Sequence, residues 1–166
     1  MEMVITASSA LWFLPFAVPI AIWVAWSDMK FMKIPNMAVL ALLAVFLGVG
    51  LIALPFDVYT WRLLHLAVIL AIGFVFSAVG SLGAGDAKFA AAMAPFVAWG
   101  DAARMAYLLS AVIIAALITH RLFQRSKTMR KLTPNWKSWD NKDFPMGLAL
   151  GGTLIAYLAL GVAYGS

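Results

Sequence analysis

The 166-residue sequence has no cysteine and few charged residues, and each absence excludes a class of protein. Without cysteine there can be no disulfides, zinc–thiolate sites or thiol nucleophiles. Charged residues make up 11% of the chain and hydrophobic residues 64%, with a mean hydropathy of +0.95. Soluble domains carry about 25% charged residues, so this composition excludes a water-soluble globular protein and a disordered chain. The long uncharged runs indicate a membrane protein instead.

Six apolar segments lie between the charged residues. We expect spans at roughly 8–26, 36–54, 61–80, 87–100, 103–121 and 145–164. The fifth is long enough if Arg104 extends its side chain to the interface. Even when the fourth is stretched over the sixteen residues from Asp86 to Asp101, it reaches across only about 24 Å of a hydrocarbon core about 30 Å thick. We therefore expect its glycine-rich start to lie below the membrane surface or beside thinned bilayer. The first lacks a basic N-terminal region, which favours a retained helix over a cleaved signal peptide. The predicted fold is an all-α polytopic bundle of about six transmembrane helices, forming a single domain over 1–166.

Lysine and arginine are distributed unevenly between the two sides of this topology. Ten fall on one side, and only Arg62 and Arg104 on the other. Because cytoplasmic loops are rich in lysine and arginine, the basic side is predicted to be cytoplasmic, with both termini outside. The basic loop, defined as residues 121–143, holds seven basic and two acidic residues together with Trp136 and Trp139. This composition favours contact with anionic lipid, with substrate capture as an unsupported alternative, and no nucleic-acid-binding motif accompanies it.

Two of the seven acidic residues are candidate catalytic residues because of their positions at the ends of apolar spans. Asp28 ends the first span, and Asp86 follows Gly83 and Gly85 before the fourth. Two carboxylates within a few ångströms of each other cannot both ionise near neutral pH, so such a pair would share a proton and could activate water without a metal or thiol. The glycines would permit positive φ and close approach of another backbone, such as an extended substrate strand. The plainer alternatives are a tight turn with a helix-starting aspartate and an interface acid paired with a nearby lysine.

The remaining candidates have simpler interpretations. Asp57 and Asp101 follow apolar spans on the outward side, and we expect them to be solvated boundary residues. His65 is expected to be a packed polar residue far from the aspartates, since one histidine cannot form a metal site. His120 begins the basic loop and is expected at the interface.

Three motifs resemble those of one enzyme family. The stretch Asp28–Asn36 (DMKFMKIPN) resembles the first signature of the type IV prepilin peptidases, and Gly83–Lys88 (GAGDAK) resembles their second, the GxGD motif of membrane aspartyl proteases. Phe144–Ala149 (FPMGLA) is similar to the opening of the last helix in the short members. By this resemblance Asp28 and Asp86 would be the catalytic pair. The residues that would bind substrate or shape the site are Gly83, Gly85, Lys88, Lys33, Pro35 and Asn36.

The resemblance implies an endopeptidase that removes the leader of prepilins at the cytoplasmic face of the inner membrane, without a metal or cofactor. Larger members carry an additional cytoplasmic domain with paired cysteines and also methylate the new N-terminus. This chain has neither cysteine nor a long early loop, so it resembles the peptidase-only branch that serves Flp-type pili, and no N-methyltransferase domain is expected. Archaeal preflagellin peptidases share the same motifs.

Two other function classes remain open at this stage. A proton- or ion-coupled transporter would use the same acids as a relay, preferably near the bilayer midplane. A non-enzymatic pilus or secretion scaffold would tolerate asparagine at both aspartates. Lys88 would either lower the pKa of Asp86 or contact lipid phosphate. The sequence does not identify the prepilin, the acid and the base of the pair, or the oligomeric state.

Overall fold

A computed structural model describes residues 2–166, which form a bundle of helices. The helices are α1 Ala7–Phe31, α2 Asn36–Ala53, α3 Phe56–Ala78, α4 Ala84–Met93, α5 Ala102–Arg125, α6 Lys127–Leu132 and α7 Met146–Tyr164. Short 3₁₀ turns occupy Ala94–Phe96, Trp99–Asp101 and Lys137–Trp139. Residues 2–166 contain no β-strand, and an isolated bridge joins Met3 to Gly165. The all-α prediction is confirmed.

Within residues 2–166, five helices are long and apolar enough to cross a membrane. They are α1, α2, α3, α5 with the turn that precedes it, and α7. The chain is therefore an all-α polytopic membrane protein, with five long helices rather than six. Their bounds lie within about five residues of the predicted spans. The largest differences are that α3 begins at Phe56 rather than 61 and that α1 continues from the predicted end at 26 to Phe31. This places Asp28 inside the last turn of α1, where the left-handed Met32 (φ 54°) ends the helix.

The predicted span at 87–100 contains the short helix α4 instead. Ten residues of α helix rise only about 15 Å, and Pro95, which lacks a backbone N–H, lies in the 3₁₀ turn that follows. Arg62 of α3 donates to the carbonyl oxygens of Phe96 (3.1 Å) and Pro95 (3.5 Å). Arg62 is therefore buried against the end of this segment and satisfies carbonyls that the broken helix leaves unpaired.

Small residues allow the helices to approach closely. A Cβ on Gly151 would lie 2.6 Å from the carbonyl oxygen of Ala21, so α7 packs backbone to backbone on α1. A Cβ on Gly73 would lie 2.9 Å from the Cβ of Ala87, which fixes α3 against α4 in the same way. Such contacts are the usual basis of helix association in membranes, where packing replaces the hydrophobic effect. Helix α4 is thereby held among α2, α3 and α7.

The two ends of the bundle have different compositions. The aspartate end, where α1, α3 and α5 finish and α2, α4 and α7 begin, carries Asp28, Asp86 and the basic loop. At the opposite end Asp101 is fully buried, so its prediction as a solvated boundary residue is wrong. Its carboxylate accepts hydrogen bonds from the backbone N–H groups of Val4 and Ile5 (2.9–3.1 Å), the Tyr157 hydroxyl (3.0 Å) and Arg104 (2.8 Å). These donors compensate for its burial. Asp57, in contrast, is exposed as expected.

Candidate active site

Asp28 is a buried carboxylate held by the start of α7. Its side chain is 5% exposed, and Oδ2 accepts a 2.7 Å hydrogen bond from the backbone N–H of Gly147. Gly147 lies in the first turn of α7, where N–H groups have no partner within the helix and the helix dipole favours a negative charge. A Cβ at Gly147 would lie 2.8 Å from the Cβ of Asp28 and 3.0 Å from Oδ2. Only glycine permits this approach.

Gly147 was absent from the site residues that the sequence predicted. It lies 119 positions from Asp28 in the chain, and no spacing rule connects the two. The available signal was the FPMGLA stretch, which resembled a helix opening of the family but had no assigned role. Its role in the structure is to donate to Asp28.

Asp86 lies in the first turn of α4 and is half-buried. Burial and, as the smaller cause, the neighbouring charge of Asp28 together raise the pKa of Asp86 from its ordinary value of 3.8 to about 6. A backbone hydrogen bond from Gly83 opposes the rise. The two aspartates therefore interact electrostatically at one end of the bundle, which is the arrangement in which one carboxyl keeps a proton while the other ionises.

The glycines before Asp86 act through close approach rather than through unusual backbone angles. Gly83 has φ −63°, and a Cβ there would lie 2.5 Å from Oδ2 of Asp86. Gly85 lies in α4, and a Cβ there would lie 3.3 Å from the Cβ of Ile34. Of the two properties that glycine permits here, the structure uses close approach and not positive φ, since the positive-φ glycine among residues 2–166 is Gly80 (φ 75°). The space beside Gly85 is occupied by this chain's own α1–α2 connection.

That connection contains the other predicted site residues. The backbone carbonyl of Lys33 accepts a 3.0 Å hydrogen bond from the Ser27 hydroxyl, while its side chain is exposed. Pro35 caps α2, and Asn36 begins it. The exposed Lys88 ammonium lies 3.4 Å from Oδ1 of Asn36, which joins α4 to α2. These residues place α2 beside α4. The side chain of Lys88 donates its hydrogen bond to Asn36 rather than to an aspartate.

The basic loop packs against the same end of the bundle. Helix α5 continues to Arg125, so His120 lies within the helix, and its side chain is 1% exposed. Trp139 is 3% exposed and stacks on His120 (5.3 Å between ring centroids) and on Trp136 (5.6 Å). Trp139 therefore forms the loop's own apolar core. The neighbouring Ser138 hydroxyl contacts the sulfur of Met29, next to Asp28.

Comparison with known families gives one result. The model of the type IV leader peptidase family matches residues 15–120, which is more than half of the chain. The chain belongs to the type IV leader peptidase family. The match confirms the resemblance seen in the sequence and indicates a peptidase. Both aspartates lie within the matched segment of this leader peptidase, whereas Gly147 lies beyond it. No curated protein and no solved structure gave a significant match.

Proposed function

We propose that this member of the leader peptidase family is a membrane aspartyl endopeptidase that removes the leader of Flp-like prepilins. The observation that carries the proposal is the convergence of Asp28 and Asp86. Each lies in one of the first two family-like motifs, and they interact at one end of the bundle. A relay for ion transport would need acids spread through the depth of the membrane, whereas these two share one end.

The chemistry follows from the shared proton. The ionised member of the pair takes a proton from water as the water attacks the scissile carbonyl, and the protonated member polarises that carbonyl. The acid and base then exchange roles when the leaving amine is protonated. The hydrogen bond from Gly147 and the dipole of α7 stabilise negative charge on Asp28. The pair titrates jointly, so neither residue is assigned permanently as the base.

The peptidase-only assignment is supported by the connection between α1 and α2. It consists of residues 32–35, too few to hold a further domain, and the sequence contains no cysteine for a paired-cysteine domain. We therefore propose that the chain is a single peptidase domain that cleaves prepilins without methylating the new N-terminus.

We further propose that the aspartate end faces the cytoplasm at the inner membrane. The excess of lysine and arginine at this end supports that orientation. Arg130 pairs with Asp140, whereas the side chains of Lys127, Lys131 and Lys137 are exposed. Free cations beside a membrane surface attract anionic headgroups, each contributing about 1 kcal/mol. Replacing these three lysines with glutamine should weaken the preference for anionic over neutral vesicles, and an unchanged preference would contradict lipid binding by this loop.

The proposed function is tested by co-expressing a Flp-type prepilin with the wild type, Asp28→Asn or Asp86→Asn and measuring leader removal in membranes. Each variant's abundance is measured in the same membranes, and exposed Asp57→Asn is the matched control. We expect processing by the wild type and Asp57→Asn and none by the other two at equal abundance. Full processing by either site variant would contradict the aspartyl mechanism and restore the scaffold alternative. No processing by the wild type would contradict the prepilin substrate.

A further inference from the structure

An apolar groove opens between α3 and α5, with α4 as its floor. Its volume is about 520 Å³. A cavity of about 150 Å³ holds a benzene-sized group, so this groove has room for several apolar side chains. Val68 of α3 and Leu109 of α5 form its two walls, and the side chain of Val68 is 45% exposed. His65, expected to be a packed polar residue, also lines it.

The groove begins one helical turn from the candidate active site on two different helices. Ala90 lines it and lies four residues after Asp86 on α4. Leu150 lines it and lies three residues after Gly147 on α7. Residues three or four apart share one face of a helix, so the helix faces that carry the aspartate site continue directly into the groove.

The floor of the groove is built from small side chains. Ala90 and Ala94 are half-buried, while Ala91 and Ala92 beside them are fully packed inside the bundle. Small residues on a partly open face are what allow a second helix to approach closely within a membrane. The opposite end of the groove is bordered by Trp99, which is 70% exposed.

We propose that this groove binds the apolar helix that follows the scissile bond of the substrate, and so aligns that bond with Asp28 and Asp86. This inference rests on the proposed function, because it requires a substrate cut just before a hydrophobic helix. The continuity of the groove with the aspartates favours this occupant over a lipid chain. A peptide cut at the aspartates must leave the site along an adjoining surface, and the groove is an apolar surface that starts there. A lipid chain has no such requirement.

The first test fills the groove without touching the aspartates. Ala94→Phe places a ring on the floor two turns beyond Asp86, and Ala67→Phe places the same ring on an exposed position of α3 outside the groove. We expect Ala94→Phe to lower the rate of prepilin processing about tenfold or more, and Ala67→Phe to leave it unchanged. A soluble peptide that ends shortly after the scissile bond should be cut equally by both variants, because it lacks the helix. Equal processing of the full prepilin by both variants would overturn the proposal.

The second test needs no activity and therefore covers a failure of Ala94→Phe to fold. A photo-crosslinking amino acid is placed at Val68 or at its neighbour Ala67 in the Asp86→Asn background, with the prepilin present. Val68 lines the groove, whereas Ala67 lies 100° around the same helix at the same depth. We expect a prepilin adduct from position 68 and little from position 67. Equal adducts, or only lipid adducts at position 68, would overturn the proposal.

The two proposals can fail separately. If Asp86→Asn abolishes processing while Ala94→Phe and the position-68 crosslink behave like their controls, the peptidase stands and the groove assignment is overturned. If the wild type leaves the prepilin uncut and no adduct forms at position 68, both are overturned.

Discussion

The backbone N–H of Gly147 donates a 2.7 Å hydrogen bond to Oδ2 of Asp28. This contact joins the first turn of α7 to the last turn of α1, and a methyl group at Gly147 would overlap the aspartate. The third family-like motif therefore acts on the first, and α7 is part of the site although the family match ends at residue 120.

Gly147→Ala should reduce prepilin processing strongly. The added Cβ would lie 2.8 Å from the Cβ of Asp28 and must displace the carboxylate, and a displacement of about 1 Å in a catalytic group costs about 100-fold in rate. Gly48→Ala is the matched control, because a Cβ at Gly48 meets nothing within 4 Å. Processing rates are compared at equal membrane abundance. Equal rates for the two variants would contradict the role assigned to Gly147.

The rate of processing should fall as the pH rises above about 6. Burial, together with the charge of Asp28, raises the pKa of Asp86 to about 6, and above that pH the pair loses the proton it must share. Because the folded-state pKa exceeds the ordinary value of 3.8, the folded state binds more protons between these values, so stability also declines as pH rises through that window. The rate is measured with a reconstituted enzyme across roughly pH 5–8, a range that brackets the transition. A rate that rises steadily through this range would contradict the shared-proton mechanism.

The infrared carboxyl band of Asp86 provides a direct check on that mechanism. Asp28→Asn removes the like charge, so the pKa of Asp86 should fall towards its ordinary value, although burial keeps it elevated. An unchanged titration in Asp28→Asn would show that the two carboxyls do not interact.

Asp101→Ala should destabilise the protein without changing the active site. The substitution leaves the N–H groups of Val4 and Ile5 and the hydroxyl of Tyr157 without their acceptor, and breaking such a buried charged network costs about 3–5 kcal/mol. Exposed Asp57→Ala should change the free energy of unfolding by less than about 0.5 kcal/mol. The stabilities of the two variants are compared by thermal unfolding in detergent micelles. Equal stability of Asp101→Ala and Asp57→Ala would contradict the role of the hydrogen-bond network.

Lys88→Gln should have little effect on processing. The lysine is exposed and contacts Asn36 at 3.4 Å, and exposed polar contacts contribute about 0–1 kcal/mol. The processing rate of Lys88→Gln is compared with that of Asn36→Ala in the same membranes. A loss as large as that of Asp86→Asn would place Lys88 in the chemistry.

The long membrane-spanning helices could be predicted from the sequence because charged residues are costly inside the bilayer, so a span appears as an uncharged interval. The sequence was a poor guide to charged residues at the ends of those spans. Asp101 was expected to be a solvated boundary residue, and Arg62 was only counted on the outward side. Each is buried, and each satisfies backbone groups that a broken helix or a chain terminus leaves unpaired. Those partners are created by the fold and cannot be seen in local composition.

The candidate site could also be predicted from the sequence only in part. Asp28 and Asp86 were found through their motifs, but the residues that approach the two glycines were not predicted. The sequence allowed either positive φ or close approach at Gly83 and Gly85, and the structure uses close approach, to the side chains of Asp86 and Ile34. Gly147 needed the packing of α7 on α1, a relationship between residues 119 positions apart.

The most direct test of the account uses the purified protein in vesicles with a synthetic prepilin that includes its hydrophobic helix. Wild type, Asp28→Asn, Asp86→Asn and Asp57→Asn are reconstituted at equal, folded concentrations, and the cleaved product is identified by mass. We predict a single cut before the hydrophobic helix by the wild type and Asp57→Asn, and no cut by the other two. Cleavage by Asp28→Asn or Asp86→Asn at the wild-type rate would contradict the central claim that these two carboxyls form one catalytic pair.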